Sequence, residues 1–243
     1  MTASREVTAL RWAGIVACCP AGLILIAWAL FRDFRYPDDN AKGREYLRRL
    51  LPHHIGEMQV LLVLLMGIAT MFFILLLAMT YTMRAGHATP SALVMASSAT
   101  AFTAVTTTVC AIYGTIMLMG HGYPQFGTAR PSDLVLVAYT WNLAQTLYQL
   151  SAVLLGGAWS AVVVANRAHL VLPRALGSWG AGIVAAINVG SAGSIFASTG
   201  PWSPGSSYTF GIQAGTTYAW MAIAGAALLR RTHTQPHGDT RAQ

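Results

Sequence analysis

The chain has few charged residues. Only 9% of its 243 residues are charged and 55% are hydrophobic, whereas a soluble domain carries about 25% charged residues. This composition excludes a water-soluble globular domain. Long apolar segments recur, and about 20 helical residues match the roughly 30 Å hydrocarbon core of a bilayer. The sequence therefore predicts an all-α integral membrane protein surrounded by membrane lipids.

Lysine and cysteine are also scarce. Lys42 is the only lysine among 15 basic residues, and this preference for arginine indicates a GC-rich bacterial genome. Cys18, Cys19 and Cys110 lie inside apolar segments without CxxC or Cys/His spacing, so we predict no metal or redox chemistry there. The basic residues that give the chain its net charge of +7 are scattered over short loops. This distribution favours anionic lipid headgroups, and not nucleic acid, as the counter-charge.

Several functional motifs are missing too. The chain has no Walker motif, no Asp-rich prenyl-diphosphate motif, no lysine in its last span and no paired in-span histidines, which argues against an ATPase, a prenyltransferase, a retinal protein and a haem cytochrome. No charged residue lies deep in a predicted span, so an ion-coupled transporter lacks its coupling group. What remains is a helical bundle, without a cofactor, that suits a lipophilic, uncharged or weakly polar guest.

Hydropathy predicts a single membrane domain of six spans over residues 1–243, with a basic polar tail at 230–243. The predicted spans cover residues 10–31, 55–82, 92–119, 134–165, 176–198 and 208–229. Six spans place both termini on one side, and counting basic residues hardly distinguishes the two sides. Two nearly uncharged loops on the opposite side favour termini inside, in a bacterial inner membrane.

The first loop, residues 32–54, carries more charge than any other segment. Leu47, Leu50 and Leu51 recur at helical spacing within it, while arginines occupy the other faces. This pattern predicts an amphipathic segment that lies along the membrane surface. A solvated connector is the alternative.

Small residues recur every four positions in the last two spans. They are Gly182, Ala186, Gly190 and Ser194 in the fifth span, and Gly211, Gly215 and Ala219 in the sixth. Because membrane helices approach one another through such residues, the pattern predicts close packing between these two helices.

Three amides share one face of the fourth span. Asn142, Gln145 and Gln149 are spaced i, i+3 and i+7, which confines them to about 60° of the helix circumference. An unpartnered amide in hydrocarbon costs several kcal/mol, so this face is expected to turn away from lipid towards neighbours, water or a ligand.

Polar and aromatic side chains of other spans are candidates to line a cavity with these amides. The polar candidates are Thr100, Thr103 and Thr107 of the third span, Asn188 and Ser191 of the fifth, and Gln213, Thr216 and Thr217 of the sixth. The aromatic candidates are Tyr113, Trp141, Tyr148 and Trp220. The alternative is that the polar groups only bond one another and hold the bundle together.

A second candidate site lies at the start of the second span, where His53 and His54 precede Glu57. A carboxylate and an imidazole on one helix face are able to exchange protons near neutral pH. Metal binding would need a third ligand, such as His121 or Asp133. The simpler alternative is that Glu57 interacts with the helix dipole.

The connector from Asn166 to Gly177, with sequence NRAHLVLPRALG, and the charged first loop resemble a family of uncharacterised bacterial multi-span membrane proteins. This resemblance implies a topology and no activity. The chain is also distantly similar to small integral-membrane terpene cyclases, which use acidic groups in an aromatic- and amide-lined helical pocket. It departs from them in having six predicted spans instead of seven and no second acid in the later spans.

Three hypotheses follow from the sequence. The leading one is a bundle that binds a lipophilic small molecule in a polar but uncharged cavity, as a carrier or presenter. The second is a membrane-embedded cyclase or isomerase that uses Glu57 as acid or base, with His54 tuning its pKa. The third is an accessory subunit whose small-residue surfaces dock another membrane protein or a second copy of the chain.

Overall fold

The computed structural model describes residues 3–30, 55–85, 89–120, 131–168, 172–197, 200, 202–203 and 207–234. All regular elements in these ranges are helical. The α-helices are α1 (Ala3–Leu30), α2 (Ile55–Ala85), α3 (Thr89–Gly120), α4 (Pro131–Ala168), α5 (Ala181–Ala192) and α6 (Ser207–Thr234). A π-helical segment, Ala175–Gly180, precedes α5, and a 3-10 helix, Gly193–Phe196, follows it. The predicted all-α fold is confirmed.

The predicted surface segment of the first loop lies outside the described residues, and so does the end of the predicted tail. Both stay predictions. The connector from Asn166 to Gly177 is described except for residues 169–171.

The six helices form a closed ring in chain order. Each helix packs against the helices before and after it, and α6 packs against α1. Neighbours run antiparallel: on α3 and α4, Ser98 faces Gly157 while Tyr113 contacts Trp141. We call the end of the bundle where α1 begins and α6 ends the terminal end, and the opposite end the far end.

Large apolar side chains project outward from every helix. The exposed examples are Leu25 on α1, Val63 on α2, Leu93 on α3, Val164 on α4, Ile183 on α5 and Ile223 on α6, all more than half exposed. A surface of this kind is stable in lipid and not in water. The protein is therefore a multi-pass membrane protein.

Four segments of the described chain are long and apolar enough to cross a membrane: Leu62–Arg84, Thr89–Ile116, Ala138–Ala168 and Ala175–Phe196. In α1 the apolar stretch is shorter, Leu10–Leu23, and in α6 glycine, threonine and glutamine interrupt it. The count of six spans stays a prediction, supported by the place of α1 and α6 in the ring.

Exposed aromatic side chains cluster near both ends of the bundle, where aromatic residues usually meet the membrane interface. Trp12, Tyr81 and Trp179 lie towards the terminal end, and Tyr139, Phe196 and Trp202 towards the far end. Trp179 and Phe196 are 17 residues apart in the sequence, which corresponds to about 25 Å of helix. This separation is close to the thickness of a hydrocarbon core.

Helices α1 and α6 approach each other closely through Gly14 and Gly225. A Cβ on Gly225 would lie 2.7 Å from the carbonyl oxygen of Gly14 and 2.9 Å from the Sγ of Cys18. The Sγ of Cys18 also lies 3.7 Å from the carbonyl oxygen of Ala222. Glycine is therefore required at position 225, because any side chain there would push the two helices apart.

The predicted close packing of α5 and α6 through their small residues is wrong. A Cβ added at Gly190, Gly211 or Gly215 would have no atom of a neighbouring helix within 4 Å, and α5 packs less extensively on α6 than on α4. The four-residue spacing correctly places these residues on one face of each helix. Most of these residues are exposed, whereas Gly182 is half-buried next to Val163 of α4 and Ser194 is buried. Spacing alone does not determine which neighbour a face meets.

Trp159 fills the centre of the helical bundle. The centroid of its indole ring lies 5.6 Å from the ring centroid of Phe72 on α2 and 4.6 Å from that of Trp220 on α6, although neither helix is a sequence neighbour of α4. Phe102 of α3 joins this cluster through Phe72 at 5.4 Å. Nearer the far end, Tyr113 and Trp141 form a second aromatic contact at 4.9 Å. The interior thus has two aromatic clusters at different depths.

Candidate functional site

The amide face of α4 becomes more buried from the far end towards the middle of the bundle. Asn142 is half-buried, Gln145 is 5% exposed and Gln149 is 0% exposed. The face turns away from lipid because α4 packs between α3 and α5. Gln149 is therefore the member of this face that lies fully inside the protein.

Gln149 and Gln213 bury their amides without bonding them. Neither the nitrogen nor the oxygen of either amide has a hydrogen-bond partner within the part of the chain that the structure describes. Gln213, on α6, is only 1% exposed. Because burying one unpaired amide costs several kcal/mol, two such groups are unusual for a purely structural role.

The two glutamines lie at nearly the same depth. Trp159 of α4 contacts Trp220 of α6, and these helices run in the same direction. Gln149 precedes Trp159 by ten residues and Gln213 precedes Trp220 by seven. The difference of three residues corresponds to about 5 Å along the bundle.

Two buried hydroxyls lie at the same depth as Gln149. Ser98 faces Gly157 across the α3–α4 contact, and Thr106 and Gln149 each lie eight residues from this contact towards the far end. Ser194, in the 3-10 helix, reaches a similar depth, because Gly156 packs between Ala185 and Val189. The Oγ1 of Thr106 and the Oγ of Ser194 also lack partners among the described residues.

We call Thr106, Gln149, Ser194 and Gln213 the polar layer. Along α4 the layer lies about 15 Å from Trp159 and about 12 Å from Trp141, at 1.5 Å per residue. Phe72 of α2 contacts Phe102, which is four residues from Thr106 on α3. The buried Ile68 and Ala69, four and three residues before Phe72, are therefore at the corresponding depth on α2. The layer therefore collects four residues with unsatisfied buried polar atoms at one depth, between the central and the far aromatic clusters.

No charged side chain whose burial is described lies in this layer. The charged residues with described burial are Arg11, Arg84, Arg167, Arg174 and Arg230, all exposed and all towards the terminal end. The layer offers hydrogen-bond donors and acceptors without ionic partners. It is suited to an uncharged polar group.

Asn188 has a different role from the glutamines. Its Nδ2 donates to the carbonyl oxygen of Val184 at 2.8 Å and to the hydroxyl of Thr217 at 3.0 Å. This hydrogen bond joins α5 to α6, as expected if polar groups hold the bundle together. The Oδ1 of Asn188 has no partner in the described residues.

The remaining predicted polar residues do not belong to the layer. Thr103 is half-buried and bonds the carbonyl oxygen of Ala99 in its own helix, at 2.8 Å. Thr107 and Thr100 are exposed on the outer face of α3. A lining role for Thr100 and Thr107 is therefore not supported. Ser191 and Thr216 are half-buried and bond carbonyl oxygens of their own helices.

The predicted aromatic residues lie on both sides of the layer. Trp141 and Tyr113 are buried in the far cluster, Trp220 is buried in the central cluster, and Tyr148 is half-buried next to Gln149 in the sequence. Three of them therefore belong to the two aromatic clusters on either side of the layer, and Tyr148 packs against the far cluster.

The candidate acid–base site is only partly within the described residues. His53 and His54 lie outside them, and Glu57 is placed in the first turn of α2 without its side chain being described. Glu57 precedes Ala69 by 12 residues, which is about 18 Å of helix. A role for Glu57 at the polar layer itself is therefore not supported by this placement.

Among the described side chains, no group of three His, Cys, Asp or Glu residues is arranged to hold a metal ion. His121 lies outside the described residues, and the side chain of Asp133 is not described.

Sequence reasoning missed Thr106 and Ser194 as members of the site. Thr106 shares a face with Phe102, Val109 and Tyr113 at i−4, i+3 and i+7, so the apolar face of α3 contained the signal. Ser194 was recognised only as a small residue, because its burial depends on the 3-10 end of α5.

No known family, curated protein or solved structure matches the chain. The resemblances suggested by the connector and by the aromatic, amide-containing bundle stay predictions. The case for a function rests on the polar layer.

Proposed function

We propose that this membrane protein binds an uncharged lipophilic small molecule at the polar layer and carries it or presents it to a partner. The observation that carries the proposal is the pair of buried, unpartnered amides of Gln149 and Gln213. Each amide left unpaired in an apolar interior is destabilising by a few kcal/mol, and a bound polar group would offset that cost.

The layer defines the chemistry of its guest. Its amides provide both N–H donors and carbonyl acceptors, and the hydroxyls of Thr106 and Ser194 provide either. The aromatic clusters on each side of the layer favour a molecule with apolar parts and one hydroxyl, carbonyl or amide group. An ionised group would lack a partner of opposite charge and would be poorly tolerated.

The alternative, that the polar groups serve only as contacts between helices, accounts for Asn188. Its hydrogen bond to Thr217 at 3.0 Å crosses between α5 and α6. The same explanation does not extend to Gln149 and Gln213, whose amides bond no described residue.

Native mass spectrometry of the detergent-purified protein, followed by extraction of retained molecules, tests the proposal. We expect one uncharged lipophilic compound to stay bound in a stoichiometric amount. A protein that holds only bulk phospholipid would contradict the proposal, and a stoichiometric protein partner without a small molecule would favour the accessory-subunit hypothesis.

The enzyme hypothesis, a cyclase or isomerase with Glu57 as acid or base, stays a prediction. It is distinguished from binding alone by incubating the retained compound with wild-type protein and with Glu57→Gln. Conversion by the wild type and its loss in the variant would favour the enzyme. An unchanged compound would favour a carrier or presenter in the bacterial inner membrane.

A further inference from the structure

The contact between α5 and α6 is the least extensive contact between neighbouring helices in the described bundle. Every other pair of neighbouring helices packs over a larger surface. We call the line along which these two helices meet the α5–α6 seam, marked by Gly180 and Asn188 on one side and by Thr217 and Trp220 on the other. Since the seam faces the membrane, its opening would expose the interior to lipid.

On the side of the terminal end, a hydrogen bond connects the two sides of the seam. The indole Nε1 of Trp220 donates to the carbonyl oxygen of Leu176 at 3.0 Å, within the π-helical segment. A Cβ on Gly180 would lie 3.0 Å from the same Nε1. Asn188 and Thr217 form the next hydrogen bond along the seam.

Beyond Asn188, towards the far end, the helices bordering the seam carry small exposed residues. A Cβ added at Gly190 or Gly193 on the α5 side, or at Gly211 or Gly215 on α6, would have no atom of a neighbouring helix within 4 Å. Ser194 and Gln213, two members of the polar layer, lie at this depth. These glycines face outward, but the 3-10 helix Gly193–Phe196 packs on α4 and on the end of α5 without an extensive contact to α6. The layer is therefore close to the less extensively packed half of the seam.

The π-helical segment is suited to act as a hinge at the hydrogen-bonded end of the seam. Its Gly177 packs against the side chain of Asn166, and the Oδ1 of Asn166 accepts a hydrogen bond from the backbone N–H of Leu172 at 2.8 Å. These contacts anchor the start of the segment to the end of α4. Irregular helical turns of this type often mark points of bending.

Routes along the bundle axis are obstructed. Trp159, Trp220 and Phe72 occupy the interior between the layer and the terminal end, and Tyr113 and Trp141 pack together on the side of the far end. A sideways route between helices avoids both clusters.

We propose that the α5–α6 seam is the opening through which a lipophilic guest passes between the membrane and the polar layer. The inference rests on the proposed function. Rupture of the Asn188–Thr217 hydrogen bond lets α5 swing away from α6 about the π-helical segment, while the Trp220–Leu176 hydrogen bond keeps that segment in place.

The test uses the full chain with Ser194→Cys, reconstituted in phosphatidylcholine nanodiscs. Ser194 and the native Cys110 have the same exposed fraction, 7%, and Ser194 loses no hydrogen bond by this change. The protein is treated with N-ethylmaleimide, which is uncharged and enters lipid. Peptide mass spectrometry then gives the labelling rates of positions 194 and 110 in the same molecule.

We expect position 194 to react at least about tenfold faster than Cys110, because local opening controls the reactivity of buried groups. Adding Thr217→Val should raise the rate at position 194 further. Adding Thr216→Val should not, since the Thr216 hydroxyl bonds Ile212 of its own helix at 2.7 Å.

Equal rates at positions 194 and 110, or no effect of Thr217→Val, would overturn the seam as an opening. A sulfonated, membrane-impermeant maleimide that labels position 194 as fast as N-ethylmaleimide would overturn it in favour of an aqueous route. The labelling requires no guest, so these outcomes leave the proposed function standing. Failure of the proposed function would appear instead as a missing bound compound, whatever the labelling rates.

Discussion

The Nδ2 of Asn188 donates a hydrogen bond to the hydroxyl of Thr217 across 3.0 Å, which connects α5 to α6 inside the bundle. One turn away on α6, four residues before Thr217, the amide of Gln213 bonds no described residue. Amides at nearly the same depth thus differ: one connects two helices, and the other has no hydrogen-bond partner among the described residues.

The first prediction concerns the Asn188–Thr217 bond. Thr217→Val removes the acceptor while keeping the side-chain volume, and hydrogen bonds between membrane helices contribute about 0.6 kcal/mol on average. We expect a loss of about 0.5–1 kcal/mol in the free energy of unfolding, measured by denaturant titration in detergent. Thr216→Val is the matched control, and equal effects of the two changes would show that the bond does not stabilise the seam.

The α1–α6 contact gives the second prediction. Gly225→Ala places a methyl group 2.7 Å from the Gly14 carbonyl oxygen, and overpacking of this kind costs about 1–3 kcal/mol. We expect a lower melting temperature for this variant. Gly215→Ala, which meets no neighbouring atom, should leave it unchanged or raise it, because alanine favours the helix over glycine. A destabilising Gly215→Ala together with a neutral Gly225→Ala would contradict the helix arrangement.

The third prediction concerns the start of the π-helical segment. A Cβ at Gly177 would collide with the side chain of Asn166, so Gly177→Ala should destabilise the protein by about 1–3 kcal/mol. Asn166→Ala removes the obstruction but also the acceptor for the Leu172 N–H. We therefore expect the double variant to be less destabilised than the sum of the single variants, in a double-mutant cycle measured by denaturant titration. Strict additivity would show that the two residues do not touch.

Membrane orientation provides the fourth prediction. The three native cysteines are replaced by alanine, and Arg84→Cys, Arg167→Cys and Arg230→Cys are then made one at a time, all at exposed positions towards the terminal end. If the termini lie inside, each new cysteine should resist an impermeant maleimide in intact cells and react with it after lysis. Trp202→Cys, exposed towards the far end, should react in intact cells. The reverse pattern would place the termini outside, and a mixed pattern would contradict the even number of spans.

Much of the fold was predictable from the sequence, because hydropathy and turn residues determine where membrane helices begin and end. The burial of Gln149 followed from the spacing of three amides on one face. The neighbours of each helix did not follow, and the exposed glycines of α5 and α6 illustrate why: a periodic face is visible in a sequence, but the helix it contacts is not.

The site was predictable only in part for the same reason. Trp159 reaches across the ring to Phe72 and Trp220, a contact between helices that are distant in chain order. Thr106 and Ser194 join the polar layer because Gly156 and Gly157 set the depth at which α4 meets its two neighbours. The apolar face of α3 indicated that Thr106 is buried, but the depth at which it meets Gln149 depends on packing in three dimensions and is not encoded in the local sequence.

The most direct test of the central claim compares Gln149→Leu/Gln213→Leu with the wild type and with Gln59→Leu, whose glutamine is exposed on α2. Two properties are measured on each purified protein: the amount of retained lipophilic compound and the melting temperature after that compound is removed. Because replacing an unpaired buried amide by an apolar group relieves its desolvation cost, the double variant should melt higher than the stripped wild type. It should also retain none of the compound, while Gln59→Leu behaves as the wild type. A double variant that melts lower, or that still retains the compound, would contradict the account and show that the two glutamines serve the fold instead of a guest.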